Sequence, residues 1–318
     1  MDHRGHAHEH GANAGHAGDG RHAGHAHGVS ADADGRRLAI ALGLILGFMA
    51  VEVGVGIAVS SLALLADAAH MLTDAAAIAL SLVAIRLAAR PARGAMTYGL
   101  KRTEILAAQF NGATLLVLGL LIVVEGVRRL VDPPSVEGLP VLLVALAGVV
   151  VNLAAVWTLA RANRTSLNVE GSFQHLLTDL YAFIATAVAG VVILTTGFGR
   201  ADGLAALFVS ATMLRAAYGL LKASGRIFLE AAPEGLDPDA IGHAMAAHPG
   251  VVEVHDLHVW EVTSGFPALS AHVVVRPDAD WHGIRVALAQ LLADDFGVTH
   301  TTIQVDHDGD ELLEIAPL

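Results

Sequence analysis

"SLALLADAAHMLTDAAAIALSL", residues 61–82, has the length and apolar content of a membrane-spanning helix, yet it carries Asp67, His70 and Asp74. About 20 apolar residues cross a ~30 Å hydrocarbon core. A polar group left without a partner inside that core carries a heavy free-energy penalty. A span that keeps three ionisable groups therefore requires partners from another part of the chain.

The partner is legible further on. "SFQHLLTDLYAFIA", residues 172–185, repeats the His-x-x-x-Asp spacing with His175 and Asp179. Residues four apart share one helix face, so each helix presents one imidazole and one carboxylate in the same direction. At 1.5 Å rise per residue, His70 and Asp74 sit about 14 and 20 Å below Ser61. The later helix runs the opposite way and puts His175 and Asp179 about 12 and 18 Å from Leu167. The two pairs overlap in depth. Two nitrogens and two oxygens at one level form a set that Zn²⁺ accepts tetrahedrally, at about 2.0–2.2 Å. Two carboxylates balance one divalent charge, and the same groups take up protons once the metal leaves.

The totals agree with a membrane protein. Of 318 residues 54% are hydrophobic, and the mean hydropathy is +0.57. The absence of cysteine leaves His, Asp, Glu and Asn as the available metal ligands. The charge of −12 is lopsided: residues 230–318 hold 16 acidic and 2 basic side chains. That acidity argues against nucleic-acid binding, which needs a positive footprint, and favours cations.

Six segments are long enough to span, near 38–59, 62–88, 104–127, 139–160, 169–196 and 203–222. Lys and Arg cluster on one side of them (Arg36, Arg37, Arg86, Arg90, Arg93, Lys101, Arg102, Arg161, Arg164, Lys222, Arg226), against Arg128, Arg129 and Arg200 on the other. This bias places both termini in the cytoplasm. Residues 1–36 form a leader, 37–226 the transmembrane domain and 227–318 a cytoplasmic domain. The leader begins with 28 residues holding 8 of the 18 histidines and no apolar periodicity. It reads as a disordered arm, either a neutral tail or a weak metal collector.

In the last segment 237–248 reads as a helix, "GVVEVHDLHVWEV" and "ALSAHVVVRP" as strands, 280–296 as a helix and "THTTIQVDH" as a strand. The order αββαβ suggests a small α+β domain. The fold class is thus a six-helix polytopic α-helical membrane protein with a C-terminal α+β domain.

Other polar groups receive simpler readings. Asp67 either leads ions outward or caps a hydrated cavity. Glu52, Asn111 and Asn152 are read as bonding across helices. Glu125 and Asp202, near helix ends, are read as solvated or capping. Lys101, Arg102 and Glu104 suit an interfacial salt bridge that steadies the cytoplasmic gate.

"SLALLADAAHMLTD", "TYGLKRTEILAAQFN", "SFQHLLTD" and "HPGVVEVHDLHVW" together resemble the cation diffusion facilitator family of divalent-metal/proton antiporters, over residues 38–307. The resemblance implies a bacterial-type zinc exporter of the inner membrane that works by alternating access. It further implies a homodimer and a metallochaperone-like (ferredoxin-like) cytoplasmic domain. It assigns the intramembrane site to His70, Asp74, His175 and Asp179, and a cytoplasmic metal site to His255, His272 and Asp306. Strand alternation agrees that His255 and His272 can pair with Asp306 nearby, while His258, of opposite parity, turns into the structure. Gln304 stands where some relatives carry histidine, and the loop 89–97 lacks histidine and carboxylate, so extra sites there are not expected. His243, His248, His282, His300 and His307 read as surface residues.

Zn²⁺ and H⁺ are the expected partners, along with the lipid bilayer. Co²⁺, Cd²⁺, Ni²⁺ and Mn²⁺ also suit imidazole and carboxylate. A membrane metal sensor without transport is the alternative class, disfavoured because sensing needs no ligands deep in lipid. An enzyme is not expected: no His-Glu-x-x-His occurs, and four protein ligands leave zinc no open position.

Overall fold

The computed structural model describes residues 27–58, 62–133 and 138–308. Six long helices come first: α1 (His27–Ala58), α2 (Leu62–Ala88), α3 (Thr103–Val131), α4 (Gly138–Leu159), α5 (Leu167–Thr196) and α6 (Ala201–Phe228). Among the described residues, α1, α3, α4, α5 and α6 contain stretches long and apolar enough to cross a membrane by composition alone. The sixth, α2, is of matching length at 27 residues and is likewise rich in Ala, Leu and Ile along its sequence. Much of the outer surface is apolar, with Val124, Val150 and Tyr218 each more than 60% exposed. Water does not favour such a surface; lipid does.

The first helix begins earlier than expected. Residues 27–36, read as the end of a disordered leader, are helical. Buried Asp34 accepts from the Asn163 backbone N–H at 2.9 Å and pairs with Arg37 at 3.3 Å, tying these turns to the α4–α5 connection. The leader before His27, with seven of the eight histidines of the proposed arm, lies outside the described residues.

Two apolar cores hold the bundle. Leu38, Ile45, Ile78, Leu159, Phe173 and Leu176 join α1, α2, α4 and α5. Ala108, Leu115, Val209, Met213 and Leu220 join α3 to α6. The α3–α6 seam has a regular cause. Gly112, Gly119 and Gly126 recur every seven residues on α3 and face Leu221, Leu214 and Leu207 on antiparallel α6. A Cβ on any of the three glycines would come within 3.0–3.1 Å of its leucine. Without a hydrophobic drive inside lipid, such close small-residue packing is what brings helices together.

After α6 come α7 (Pro238–Ala246), β1 (Val251–Thr263), β2 (Phe266–Val275), α8 (Trp281–Phe296) and β3 (His300–His307), in the expected αββαβ order. Asp237 caps α7 by accepting from Asp239 N–H, and Asp280 caps α8 through Gly283 N–H. The sheet order is β1-β2-β3, antiparallel between β1 and β2 and parallel between β2 and β3. Ile241, Met245, Leu269, Val273, Leu288 and Leu292 fill the core between sheet and helices.

This domain sits against one end of the bundle. Thr263 Oγ1 donates to the Lys101 carbonyl at 3.3 Å, and Leu167 N–H donates to Ser264 Oγ at 3.2 Å. Arg102 pairs with Glu230 at 3.3 Å. The expected interfacial salt bridge is therefore made by Arg102 but not by Glu104, which instead accepts from Ser166 at 3.4 Å. Lys101 lies 5.3 Å over the Phe266 ring.

Candidate metal site

The chemistry of α2 and α5 depends on their being antiparallel neighbours. His175 Nε2 lies 2.8 Å from Asp74 Oδ1, across 101 residues of sequence, and 4.0 Å from Asp179 Oδ2 one turn along its own helix. The donor atoms of Asp74, His175 and Asp179 all lie within 4.8 Å of one another, and this is the one such cluster of three or more His, Asp or Glu residues among the described residues. His175 is 1% exposed and Asp74 5%.

The spacing suits a small divalent ion. Ligands held 2.0–2.2 Å from a tetrahedral centre stand about 3.3–3.6 Å apart. The two His175–carboxylate distances bracket that range, one shorter and one longer. A neutral imidazole that hydrogen-bonds a carboxylate through Nε2 carries its proton there, on the nitrogen that also faces the second carboxylate. Proton and metal thus compete for the same lone pair. His70 lies in α2, one turn before Asp74 in sequence, and its side chain lies outside the described residues, as does that of Asp67.

On the side of the C-terminal domain, a polar cluster fixes α2, α3 and α5 around Ser81. Ser172 Oγ donates to Ser81 Oγ at 2.7 Å, and Ser81 Oγ donates to the Ala77 carbonyl at 3.2 Å. Asn111 Nδ2 donates to Ser81 Oγ at 3.3 Å, and Asn168 Nδ2 to the Ser81 carbonyl at 2.9 Å. All four residues are at most 1% exposed. Asn111 bonds across helices as expected. Asn152 does not: its amide donates to the Gly148 carbonyl within α4, one turn back. Glu52 is buried at 4%.

Sequence reading passed over Ser81, Asn168 and Ser172, although a signal was present. Ser81 follows Asp74 by seven residues and Asn168 precedes His175 by seven, which is two turns on the same faces.

At the opposite end Arg129 bonds Glu125 at 2.9 Å and Asp202 at 2.5 Å. Glu125 and Asp202 are therefore joined through one guanidinium bridging α3 and α6. Glu125 is solvated as expected, its side chain 47% exposed; the ion pairing of both carboxylates to Arg129 was not foreseen.

In the C-terminal domain His255 and His272 are directly opposed across β1 and β2, their ring centroids 5.5 Å apart. Gln304 is the register partner of His272, and its amide donates to Asp306 Oδ2 at 2.9 Å. The structure thus brings the two imidazoles together, and Asp306 is engaged by Gln304. Asp256 was not foreseen. It adopts a positive φ of 51° at a register shift between His255 and His258. From there its carboxylate lies 2.9 Å from His258 Nε2 and 3.9 Å from His272 Nε2. This irregularity breaks strict alternation, so His258 is not turned into the structure: its side chain is 64% exposed.

Similarity to known proteins points the same way as the geometry. Residues 38–229 match the family described as "Cation efflux transmembrane domain", and residues 233–308 match "Cation efflux protein, cytoplasmic domain". The metal cation efflux system protein CzcD of Cupriavidus metallidurans is 38% identical over 288 residues, covering 89% of this chain and 90% of that protein. The zinc transporter ZitB of Escherichia coli is 38% identical over 278 residues, 87% and 88% of the two chains. A cadmium, cobalt and zinc/H(+)-K(+) antiporter of Bacillus subtilis is 35% identical over 298 residues, 92% and 96% of the two chains.

Proposed function

Because this chain belongs to the cation efflux family of membrane transporters, we propose that it exports Zn²⁺ in exchange for H⁺ through Asp74, His175, Asp179 and His70. The observation that carries this reading is the convergence of two carboxylates from antiparallel helices on one imidazole nitrogen inside an apolar bundle. His70, one turn from Asp74 on α2, supplies the fourth ligand.

The cycle follows from charge. With the site deprotonated, two carboxylates neutralise the ion and the imidazoles add donors without charge. The bundle then rocks about the site, and protons arriving from the other side take the ligand lone pairs and release the metal. Both termini lie in the cytoplasm of a bacterial cell, following the Lys/Arg bias. The same chemistry accommodates Cd²⁺ or Co²⁺; a second imidazole in place of a third carboxylate tilts preference toward zinc.

We assign His255, His272 and Asp306 to a second metal site in the C-terminal domain. Metal there relieves repulsion within a strongly acidic domain and draws two copies together as a homodimer.

The test is flux in proteoliposomes carrying zinc and pH indicators. Wild type is expected to move Zn²⁺ one way and protons the other. Asp179→Ala is expected to abolish both, and His70→Asp to lower zinc selectivity over cadmium. Zinc flux unchanged in Asp179→Ala would remove the site from the mechanism.

A further inference from the structure

Two acceptors of the polar cluster around Ser81 go without a donor among the described residues. Asn168 Nδ2 points at a carbonyl, so that atom must be the amide nitrogen. Ser81 Oγ spends its proton on the Ala77 carbonyl, so Asn111 must also approach it with N–H. Both amide carbonyl oxygens, Asn111 Oδ1 and Asn168 Oδ1, are therefore fixed pointing away from Ser81. They are fully buried, and no donor among the described residues reaches either. A buried acceptor without a donor is costly, and one kept twice in a single cluster calls for an explanation.

The cluster's position supplies one. Ser81 and Asn168 lie two turns from Asp74 and His175, about 10 Å toward the C-terminal domain. They line the same α2–α5 seam that holds the three ligands. A cation approaching the ligands along that seam from the domain side must pass them.

We propose that Asn111 and Asn168, held by Ser81 and Ser172, form a second station for the transported divalent cation in its hydrated form. The shell waters of a divalent ion are strong hydrogen-bond donors, and the two orphan carbonyl oxygens accept from them when the seam opens. Neutral oxygens hold the ion by its water rather than by charge. The station therefore binds weakly and passes the ion on to the carboxylates, where the water is lost. This rests on the transport reading above.

The experiment measures zinc uptake into proteoliposomes by stopped flow and zinc stoichiometry of the full-length purified protein. Asn168→Leu removes one acceptor, and Asn168→Asp adds a charge. The expected result for Asn168→Leu is an initial rate lowered about tenfold, a small barrier change on the rate scale, with the wild-type amount of zinc still bound. Asn168→Asp is expected to hold one further zinc per chain and to turn over more slowly. Wild-type rates in Asn168→Leu, or no extra zinc in Asn168→Asp, overturn the station. Failure of the underlying transport reading is seen separately, in Asp179→Ala that still transports.

Discussion

Gly148→Ala tests the packing that holds α5 against α4. A Cβ at Gly148 would lie 2.3 Å from Phe183 Cδ1, 2.4 Å from Cε1 and 2.7 Å from Cγ. Ordinary carbon contacts begin near 3.5 Å, so the ring has to retreat by about 1 Å or more. Overpacking of that kind costs about 1–3 kcal/mol. Phe183 also meets the Phe48 ring edge-on, with centroids 6.5 Å apart; losing that pair adds about 0.5–1.5 kcal/mol. Against this stands the gain of about 1 kcal/mol for replacing glycine inside a helix. The net expectation is destabilisation by about 0.5–3.5 kcal/mol. Unfolding of the full chain in mixed micelles, followed by the loss of helical circular dichroism, gives the measurement. A double-mutant cycle isolates the cause: with Phe183→Ala the clash disappears, so the pair is expected to be more stable than the two single costs predict, by about 1–3 kcal/mol. Phe183 is one turn beyond Asp179, and its displacement is expected to weaken zinc binding in Gly148→Ala as well. Wild-type stability of Gly148→Ala, or strictly additive costs in the cycle, would refute the reasoning.

Two further expectations follow from the geometry. The site's ligands bind metal only when deprotonated, so zinc affinity is expected to fall as pH falls and to recover as it rises. Calorimetric titration across pH 5.5–8 should show metal binding releasing protons, and an affinity that does not move with pH contradicts proton competition at Asp74, His175 and Asp179. Asp202→Ala removes the α3–α6 link to Arg129, which is 38% exposed at its side chain. The expected loss is about 1 kcal/mol or less, smaller still at high salt; a large loss independent of salt would show that the pair is not solvent-screened.

Much of the fold was legible because lipid imposes simple rules. Span lengths near 20–30 residues and the αββαβ pattern of the last segment follow from local hydropathy and alternation, and the observed helices and strands lie close to those bounds. What misled was local geometry that tertiary contacts override. Residues 27–36 read as leader because nothing in their sequence is periodic, yet Asp34 is held by the α4–α5 connection. His258 followed the parity rule until the irregularity at Asp256 broke it. Asn152 looked like a cross-helix donor and bonds within its own helix.

The amino-acid order alone determined that α2 and α5 each carry a His and an Asp one turn apart, because helix periodicity is fixed by the backbone. It also gave the expectation that the two pairs overlap in depth, which the 2.8 Å contact of Asp74 with His175 supports for those two residues. Only the folded structure decided that Asp74 meets His175 Nε2 rather than Nδ1. It alone decided that Asn111 and Asn168 both turn their amide nitrogens to Ser81, and that one arginine joins Glu125 to Asp202. Those outcomes depend on how the helices are rotated about their axes, to which the α3–α6 glycine–leucine seam, the Gly148–Phe183 contact of α4 with α5, and the core that packs Ile78 of α2 against α1, α4 and α5 all contribute. Packing between distant segments fixes rotation; a spacing within one segment marks a face without saying what that face meets.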